Sequence, residues 1–261
     1  MTDDVLCEHH GAVATITLNR PGARNALTVS AKTGLLAALR HCASDAGVRA
    51  VILTGAGRAF CAGQDLREHG DVLEAGEPPA DTVRAHYNPL VTAITSMPKP
   101  VIAAVNGVAA GAGASLAFAC DFRIAARGAS LLMAFATVGF GADSGASWTI
   151  QRLVGISRAA ELLMLAEPVP AERALSLGLV TSVVADSELG DAARELADRL
   201  AAGPTAAYAA IKDALAYAAV HGLADSLEHE AQLQASLAET RDHRAATLAF
   251  LNKEHPTYLG R

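Results

Sequence analysis

Two loops of small residues, with one and three glycines, are the first places in the sequence where residue types suggest chemistry; we call them the glycine-rich loops. They are Phe60–Leu66 (FCAGQDL) and Asn106–Ser115 (NGVAAGAGAS), and each follows a short apolar segment. Small residues after a strand let backbone N–H groups approach a ligand, and two such donors can converge on one oxygen as an oxyanion hole. The same glycines could instead serve only the tight packing of strand against helix. Spacing alone leaves both interpretations open.

Common glycine-rich and serine motifs fit these loops poorly. Gly111 and Gly113 supply the first half of a GxGxxG motif, but position 116 is Leu, and no Gly-Lys-Ser/Thr sequence occurs. Ser115 lies in Gly-Ala-Ser-Leu-Ala rather than in the GxSxG motif of a nucleophile elbow. We therefore disfavour a dinucleotide site and a hydrolase serine, and interpret Ser115 as a small residue facing the core.

Asp143 is the third candidate, because it is the only charged residue between Arg127 and Arg152. One interpretation is a helix N-cap, a position that Asp favours. The other is a general base whose pKa is raised by apolar Phe and Trp neighbours. The residues alone leave both open.

The elements that must position these loops follow from hydrophobic periodicity. Strands are predicted at Val13–Leu18, Arg49–Thr54, Val101–Val105 and Asp121–Ala125. Helices are predicted over Ser30–Ser44, Ala85–Ser96 and Ala114–Cys120, and most of the chain after Ser157 is expected to be helical. The alternation of strands and helices to about residue 150 predicts an α/β fold with a mainly parallel sheet.

Two further segments carry structural expectations. Pro100–Cys120 contains no charged residue, but it is rich in Ala, Val and Gly rather than in Leu, Ile and Phe. It is therefore predicted to be a buried strand, a turn over Gly107–Gly113 and a buried helix, not a membrane span. Gly70–Ala80 is rich in glycine, proline and acidic residues and is predicted to be a mobile surface loop.

Composition excludes several classes of protein. Hydrophobic residues make up 51% of the 261 residues, which disfavours disorder. The net charge is −6 and Lys and Arg do not cluster, so nucleic acid is not an expected partner. The four cysteines form no CxxC pair, and the first residues lack the apolar core of a signal peptide. We expect a cytoplasmic protein with no metal.

Five motifs follow one another along the chain in a characteristic order. They are Asn25–Leu27 (NAL), the two glycine-rich loops, Arg152–Gly155 (RLVG) and Ala174–Val180 (ALSLGLV). This combination resembles the crotonase (enoyl-CoA hydratase/isomerase) superfamily over nearly the whole chain. The resemblance implies a spiral of ββα turns over residues 1–195, which binds an acyl-CoA substrate. It further implies a C-terminal helical trimerisation region over 196–261, in a homotrimer or a dimer of trimers. Coenzyme A is then part of the substrate, and no separate cofactor is expected.

The resemblance also implies site residues. The backbone N–H groups of Gln64 and Ala112 would form the oxyanion hole for the thioester oxygen. Contacts to the substrate and coenzyme A are expected from Arg24, Ala26, Leu27, Ala62, Asp65, Leu66, Phe135, Trp148 and Lys253. The coenzyme A contact of Lys253 would come from a neighbouring subunit or from the chain's own C-terminal tail.

Departures from the family pattern bear on the reaction. Typical hydratases of the family carry two glutamates where this chain has Ser115 and Phe135. Because that carboxylate pair normally positions water, ordinary hydration is disfavoured. Asp143 matches the catalytic acid/base of family isomerases, in particular those acting on ring-1,2-epoxyphenylacetyl-CoA, although Ala142 replaces their proline. We therefore predict an isomerase of enoyl-CoA or epoxyphenylacetyl-CoA thioesters. The alternatives are a hydratase or lyase and a catalytically weak acyl-CoA-binding protein.

Several other polar residues could lie in or near the site. His69, His86 and Tyr87 are predicted to be solvated loop residues, with contact to the acyl group as the alternative. Glu161 and Glu172 are predicted to be surface charges in the helical region.

Overall fold

A mixed β-sheet forms the centre of the molecule. The computed structural model describes residues 4–76 and 81–261. In that part of the chain the larger sheet has six strands, which lie in the order β1-β2-β3-β5-β7-β10. They are β1 (Val5–His10), β2 (Val13–Leu18), β3 (Ala50–Gly55), β5 (Val101–Val105), β7 (Phe122–Ala126) and β10 (Ser182–Val184).

Parallel pairing relates most neighbours in this sheet. Val13 lies opposite Ala50 and Leu18 opposite Gly55, and β3–β5, β5–β7 and β7–β10 are parallel as well. All five residues of β5 are buried, as expected for a strand covered on both faces. The predicted parallel sheet is confirmed, but β1 was not predicted, and it pairs antiparallel with β2.

A second, smaller sheet lies beside the first. Within the described ranges its four strands are β4 (Ala59–Cys61), β6 (Val108–Ala110), β8 (Ser130–Leu132) and β9 (Val169–Pro170). The chain leaves β3 for β4, β5 for β6 and β7 for β8, so each step places a short strand in the second sheet. The first two steps continue directly into helices, which gives ββα units. The predicted α/β fold of ββα turns is therefore confirmed.

Helices cover the sheets and form the C-terminal region. The described residues form eleven α-helices: α1 (Val29–Ser44), α2 (Leu66–Glu74), α3 (Asn88–Thr95), α4 (Ala112–Ala119), α5 (Ala146–Val154), α6 (Ile156–Leu165), α7 (Ala171–Leu177), α8 (Leu189–Ala201), α9 (Thr205–Ala218), α10 (Leu223–Ala238) and α11 (Arg241–Asn252). A π-helical turn, Val83–Tyr87, leads into α3.

Three segments differ from their sequence-based predictions. The loop predicted over Gly70–Ala80 is wrong up to residue 74, because α2 extends to Glu74, while residues 77–80 lie outside the described part. The turn predicted over Gly107–Gly113 contains β6 and the start of α4. Helix α8 spans the expected boundary at residue 195 and buries Ala193 and Ala197 in the core. The division at that residue stays a prediction.

The uncharged segment Pro100–Cys120 forms β5, β6 and α4, and all eight residues of α4 are buried. The prediction of a buried strand and helix is therefore confirmed for this segment. None of the helices in the described part of the chain is long and apolar enough to cross a membrane.

Candidate active site

Both glycine-rich loops open onto one cavity of about 310 Å³. Its walls come from the loop after β4, the first residues of α2, the π-helical turn, the start of α4 and the segment before α5. The lining residues are Ala62, Gly63, Gln64, Leu66, His69, Asp81, Thr82, Val83, Tyr87, Gly111, Ala112, Ala134, Phe135, Val138, Phe140, Gly141 and Asp143. Most of this surface is apolar, and two carboxylates, Asp81 and Asp143, lie on it.

The first loop reaches the cavity through a backbone position that only glycine suits. Gly63 has φ +87°, and a Cβ atom there would lie 2.7 Å from the carbonyl oxygen of Ala110. The same Cβ would lie 3.5 Å from the backbone nitrogen of Ala112, so the two loops are in close contact. The packing interpretation of the glycines is thus correct, and this packing is what brings the two loops together.

The N–H of Gln64 faces away from Leu27, with which Gln64 forms an isolated parallel β-bridge. Leu27 donates its N–H to the carbonyl of Gly63 and accepts the N–H of Asp65, at 2.7 and 3.1 Å, so the N–H of Gln64 between them is not used there. Within the described chain this N–H has no backbone acceptor. It is therefore available at the cavity surface.

Ala112 supplies a second N–H at the start of α4. The first N–H groups of a helix have no intrahelical partner, and the helix dipole favours negative charge at that end. Gly111 precedes the helix at φ +51°, and no side chain caps it. The second loop packs against the first at Gly113, where a Cβ would lie 2.8 Å from the carbonyl carbon of Cys61.

Asp143 is half-buried and lines the same cavity. Burial raises the pKa of its carboxyl, and two effects oppose the rise: Ser144 Oγ donates to Oδ1 at 2.7 Å, and the charge of Lys32 favours the carboxylate. The helix N-cap interpretation is wrong, because α5 begins at Ala146 and is preceded by Ser144 and Gly145 in left-handed backbone. The carboxylate is therefore not used in capping a helix.

Neither position that carries a glutamate in typical hydratases presents a carboxylate. Ser115 is buried, as predicted, and its hydroxyl donates to the carbonyl oxygen of Gly111 at 3.2 Å. Phe135 is also buried and lines the cavity with its ring. These two positions therefore offer no acid or base, and Phe135 adds apolar surface to the cavity.

The residues expected to contact coenzyme A divide into two groups. The segment Arg24–Leu27 lies beside the first loop, where Ala62 N–H donates to the carbonyl of Arg24 at 3.0 Å. Ala62, Leu66 and Phe135 line the cavity. By contrast, Trp148 lies exposed on α5 with its ring 3.9 Å from the Arg152 guanidinium carbon, and Lys253 is exposed after α11. Their contacts to a substrate stay predictions.

The side chain of Asp65 stabilises the first loop through hydrogen bonds within the protein. Its carboxylate caps α2 through the N–H groups of Arg67 and Glu68, and it accepts from Arg20 at 2.7 Å. Burial alone would raise the pKa of this carboxyl, but these hydrogen bonds outweigh burial and hold the pKa below its ordinary value. Its side chain therefore orders the loop beside Gln64.

The three residues predicted to be solvated, His69, His86 and Tyr87, occupy different environments. Tyr87 is buried, so the prediction of a solvated residue is wrong for it, and its hydroxyl donates to Gln64 Oε1 at 2.6 Å. His69 lines the cavity with its ring 6.1 Å from that of Phe140. His86 lies 3.1 Å from Thr82 Oγ1, and burial followed by the charge of Lys32 lowers its pKa.

Sequence reasoning missed Lys32, which lies buried on α1 and donates to Gln64 Oε1 at 3.1 Å. A signal was present, because Lys32 falls on the same helical face as Leu35 and Leu39.

The two glutamates of the helical region are confirmed as surface charges: Glu161 pairs with Arg158 and Glu172 with Arg127. Over residues 4–76 and 81–261, no three His, Cys, Asp or Glu side chains are grouped as metal ligands.

Comparisons with known proteins place the chain among acyl-CoA enzymes. A family model described as enoyl-CoA hydratase/isomerase matches residues 8–261. A Rhodobacter capsulatus protein, named as a probable enoyl-CoA hydratase, is 43% identical over 249 residues, which cover 95% of each chain. The 1,2-epoxyphenylacetyl-CoA isomerase of Escherichia coli K12 is 40% identical over 263 residues and 100% of both chains.

Solved structures give the same relationship. An enoyl-CoA hydratase from Polaromonas superposes with a TM-score of 0.90 at 34% identity, covering 97% of this chain and 99% of that one. The relatives share this chain's length and fold, but they are named for two different reactions. The reaction must therefore be argued from the side chains of the cavity.

Proposed function

Since the chain belongs to the enoyl-CoA hydratase/isomerase family, we propose that it isomerises acyl-CoA thioesters with Asp143 as the acid/base. The observation that carries the proposal is the position of Asp143. A half-buried carboxylate with a raised pKa lines the same cavity as the free N–H groups of Gln64 and Ala112. The other lining carboxylate, Asp81, is exposed and paired with Arg84.

The proposed chemistry moves one proton along the acyl chain. Asp143 removes a proton from carbon, and the electron pair of the C–H bond delocalises to the thioester oxygen as an enolate. The N–H groups of Gln64 and Ala112 bind that oxygen, where preorganised donors act strongly because water is excluded. The Asp143 carboxylic acid then returns the proton at another carbon. One carboxylate suffices, since the base of the first step is the acid of the second.

The cavity supports an apolar acyl group as the substrate. Val83, Phe135, Val138 and Phe140 surround it, and such a lining favours an aliphatic or aromatic chain. We include two reactions in the proposal: migration of an enoyl double bond and isomerisation of a ring-epoxidised phenylacetyl group. The second is the reaction for which the E. coli relative is named. Neither requires a cofactor besides the coenzyme A of the substrate.

Hydration or another lyase reaction is the second candidate, because the R. capsulatus relative carries that name. It would use Asp143 to position and deprotonate a single water. The absence of carboxylates at Ser115 and Phe135 argues against it, since hydration then lacks the second group that shuttles the proton.

A trimer or a dimer of trimers belongs to the proposal as well. The C-terminal helices carry large apolar side chains that are exposed in the single chain, including Leu215 on α9, Leu223 on α10 and Phe250 on α11, at 69, 76 and 82%. Apolar exposure of this kind is typical of subunit interfaces. Light scattering after size-exclusion chromatography measures the assembly directly.

The decisive experiment compares Asp143→Asn with Asp81→Asn. Each protein is incubated separately with crotonyl-CoA, a 3-enoyl-CoA and epoxyphenylacetyl-CoA, and the products are separated by chromatography. We expect Asp143→Asn to lower kcat for isomerisation by about 10²-fold or more, the scale of acid–base catalysis, and to leave thioester affinity nearly unchanged. Asp81→Asn should retain activity, because its carboxylate is exposed and paired with Arg84.

Three results would contradict the proposal. Full isomerase activity in Asp143→Asn would show that Asp143 is not the base. Hydration of crotonyl-CoA without isomerisation of the other two substrates favours the second candidate. Tight thioester binding without turnover of any of the three favours a protein that binds acyl-CoA for another purpose.

A further inference from the structure

Lys32 is a buried cation directly behind the cavity. It lies on α1 with 1% of its surface exposed, between apolar residues that face the core. An ammonium group in such surroundings is costly unless its charge and its N–H donors find partners. The identity of those partners therefore shows what the lysine does.

The ammonium binds two side chains of the cavity wall. Its Nζ donates to Thr82 Oγ1 at 2.6 Å and to Gln64 Oε1 at 3.1 Å. It also lies 5.0 Å from the centre of the Tyr87 ring, a cation–π distance. Thr82, Gln64 and Tyr87 all line the cavity, whereas Lys32 is not among the lining residues. The lysine thus supports the wall from outside.

Gln64 receives two donors on one oxygen. Tyr87 Oη donates to Gln64 Oε1 at 2.6 Å, and Lys32 Nζ donates to the same atom. Because Gln64 Oε1 accepts both hydrogen bonds, rotation of the Gln64 side chain would leave the buried Lys32 ammonium with one acceptor fewer. The side chain of Gln64 is therefore fixed, and with it the residue whose N–H faces the acyl site.

Four titratable groups surround the ammonium. Burial lowers the pKa of Lys32, and the carboxylates of Glu68 on α2 and of Asp143 in the cavity lining oppose that effect. Glu68 is itself engaged, because both its oxygens accept the N–H of Val29 at the start of α1, at 3.0 and 3.2 Å. His86 and Tyr87 on the π-helical turn complete the surroundings, and the positive charge disfavours protonated His86.

We propose that Lys32 is a positioning residue of the acyl site: from behind the wall its ammonium fixes the Gln64 side chain and places a buried positive charge next to the cavity that Asp143 lines. The inference rests on the proposed function, because it gives Asp143 the role of base. Lys32 transfers no proton and touches no substrate. Its charge favours the ionised form of Asp143, which burial disfavours.

The test uses two substitutions that separate charge from hydrogen bonding. Lys32→Gln removes the charge and keeps an N–H donor, while Lys32→Met removes both and keeps the length of the side chain. The matched control is Lys99→Met, which replaces another buried lysine. Lys99 donates to the carbonyl oxygen of Asp45 at 2.6 Å, near the end of α1, and does not line the cavity. Circular dichroism establishes that each variant is folded.

Two readouts are measured as a function of pH. The first is the titration midpoint of the Asp143 carboxyl, followed by carbon-13 NMR of the aspartate-labelled protein and assigned with Asp143→Asn. The second is the midpoint of the acid limb of kcat for isomerisation. We expect both midpoints to rise by about one pH unit in Lys32→Gln and in Lys32→Met and to stay in place in Lys99→Met. At pH values above the limb, Lys32→Met should lose more activity than Lys32→Gln.

The outcomes separate this inference from the function on which it rests. An unchanged NMR midpoint in both Lys32 variants overturns the inference, whatever their activity. A loss of kcat with unchanged midpoints assigns Lys32 a structural role only and overturns it too. A raised NMR midpoint together with full activity of Asp143→Asn supports the charge interaction but overturns the proposed base, and with it the proton-accepting role.

Discussion

The cavity has two walls that are built in different ways. The backbone wall consists of residues 61–64 and 110–113, where positions are set by main-chain atoms in contact, as between Gly63 and Ala110. The side-chain wall consists of Thr82, Tyr87 and residues 134–143, and several of its members, such as Val138 and Phe140, are half exposed. At Gly63 and Gly113 the backbone wall leaves no room for a methyl group, whereas the side-chain wall is formed by side chains that differ in size and exposure.

This difference explains why similar relatives are named for different reactions. A hydratase and an isomerase of this family both involve a thioester oxygen that gains negative charge, so both need the same N–H donors. They differ in which acids and bases face the acyl chain, and those groups are side chains. The R. capsulatus and E. coli relatives are similarly close to this chain, at 43 and 40% identity, and yet carry the two different names. Identity over the whole chain therefore does not assign the reaction.

The largest expected effect comes from placing a methyl group in the backbone wall. Gly113→Ala, in α4, would bring a Cβ to 2.8 Å from the carbonyl carbon of Cys61, a backbone atom that cannot rotate away. We expect the free energy of unfolding to fall by about 3 kcal/mol or more, at the upper end of overpacking costs. Urea unfolding followed by circular dichroism measures the change.

The matched control is Gly70→Ala, also in a helix, α2, where no atom lies within 4 Å of the added Cβ. There we expect a gain of about 0.5–1 kcal/mol, because alanine favours helix more than glycine does. If both substitutions changed the unfolding free energy equally, close packing of the two loops would not be what fixes the backbone wall.

A second effect, measured on activity, is expected at Gly63. Gly63→Ala combines a left-handed φ of +87° with a Cβ only 2.7 Å from the carbonyl oxygen of Ala110. Relief of this contact must move the N–H of Gln64, and we expect kcat to fall by about 10²-fold, the cost of losing one oxyanion donor. Steady-state kinetics with the isomerisation substrate measures it.

Gly11→Ala is its control, because Gly11 also has a positive φ, +62°, but lies in open space between β1 and β2. It should share the backbone strain without the loss of kcat. A similar loss in both variants would mean that strain in general, rather than the aim of one N–H group, limits the reaction.

The same contrast explains what could be predicted from the sequence. The backbone wall is encoded locally, since FCAGQDL and NGVAAGAGAS each combine a strand end, glycines and a donor within ten residues or fewer. The short strands of the second sheet were missed, because two or three residues cannot show an alternating pattern. The role of Lys32 was missed because its partners Gln64 and Thr82 lie 32 and 50 residues further along the chain.

Asp143 falls between these cases. Its isolation in an apolar stretch was visible in the sequence, but the choice between N-cap and cavity residue depended on where α5 begins. Ser144 and Gly145 both adopt a left-handed backbone conformation, with φ of 52° and 74°, so that α5 begins only at Ala146. A serine in that conformation is uncommon, so residue type could not predict it.

The smallest expected effect tests how Ser144 tunes the side-chain wall. Its hydroxyl donates to Asp143 Oδ1 at 2.7 Å and thereby favours the ionised carboxyl, against the rise in pKa that burial causes. Ser144→Ala removes this bond, so the pKa of Asp143 should rise further. Because the proposed base acts when ionised, activity is lost as the pH falls through this pKa, and the acid limb of kcat should move upward by up to about one unit.

Ser144→Gly separates the hydroxyl from the strained backbone. Glycine accepts a φ of 52° at little cost, so this variant also loses the hydroxyl but gains backbone stability. Equal upward shifts of the acid limb in both variants, with none in the exposed neighbour Ser147→Ala, would assign the effect to the hydrogen bond. A shift in Ser144→Ala alone would assign it to loop geometry, and the contrast between a backbone wall fixed by packing and a side-chain wall tuned by polar contacts would then fail at this residue.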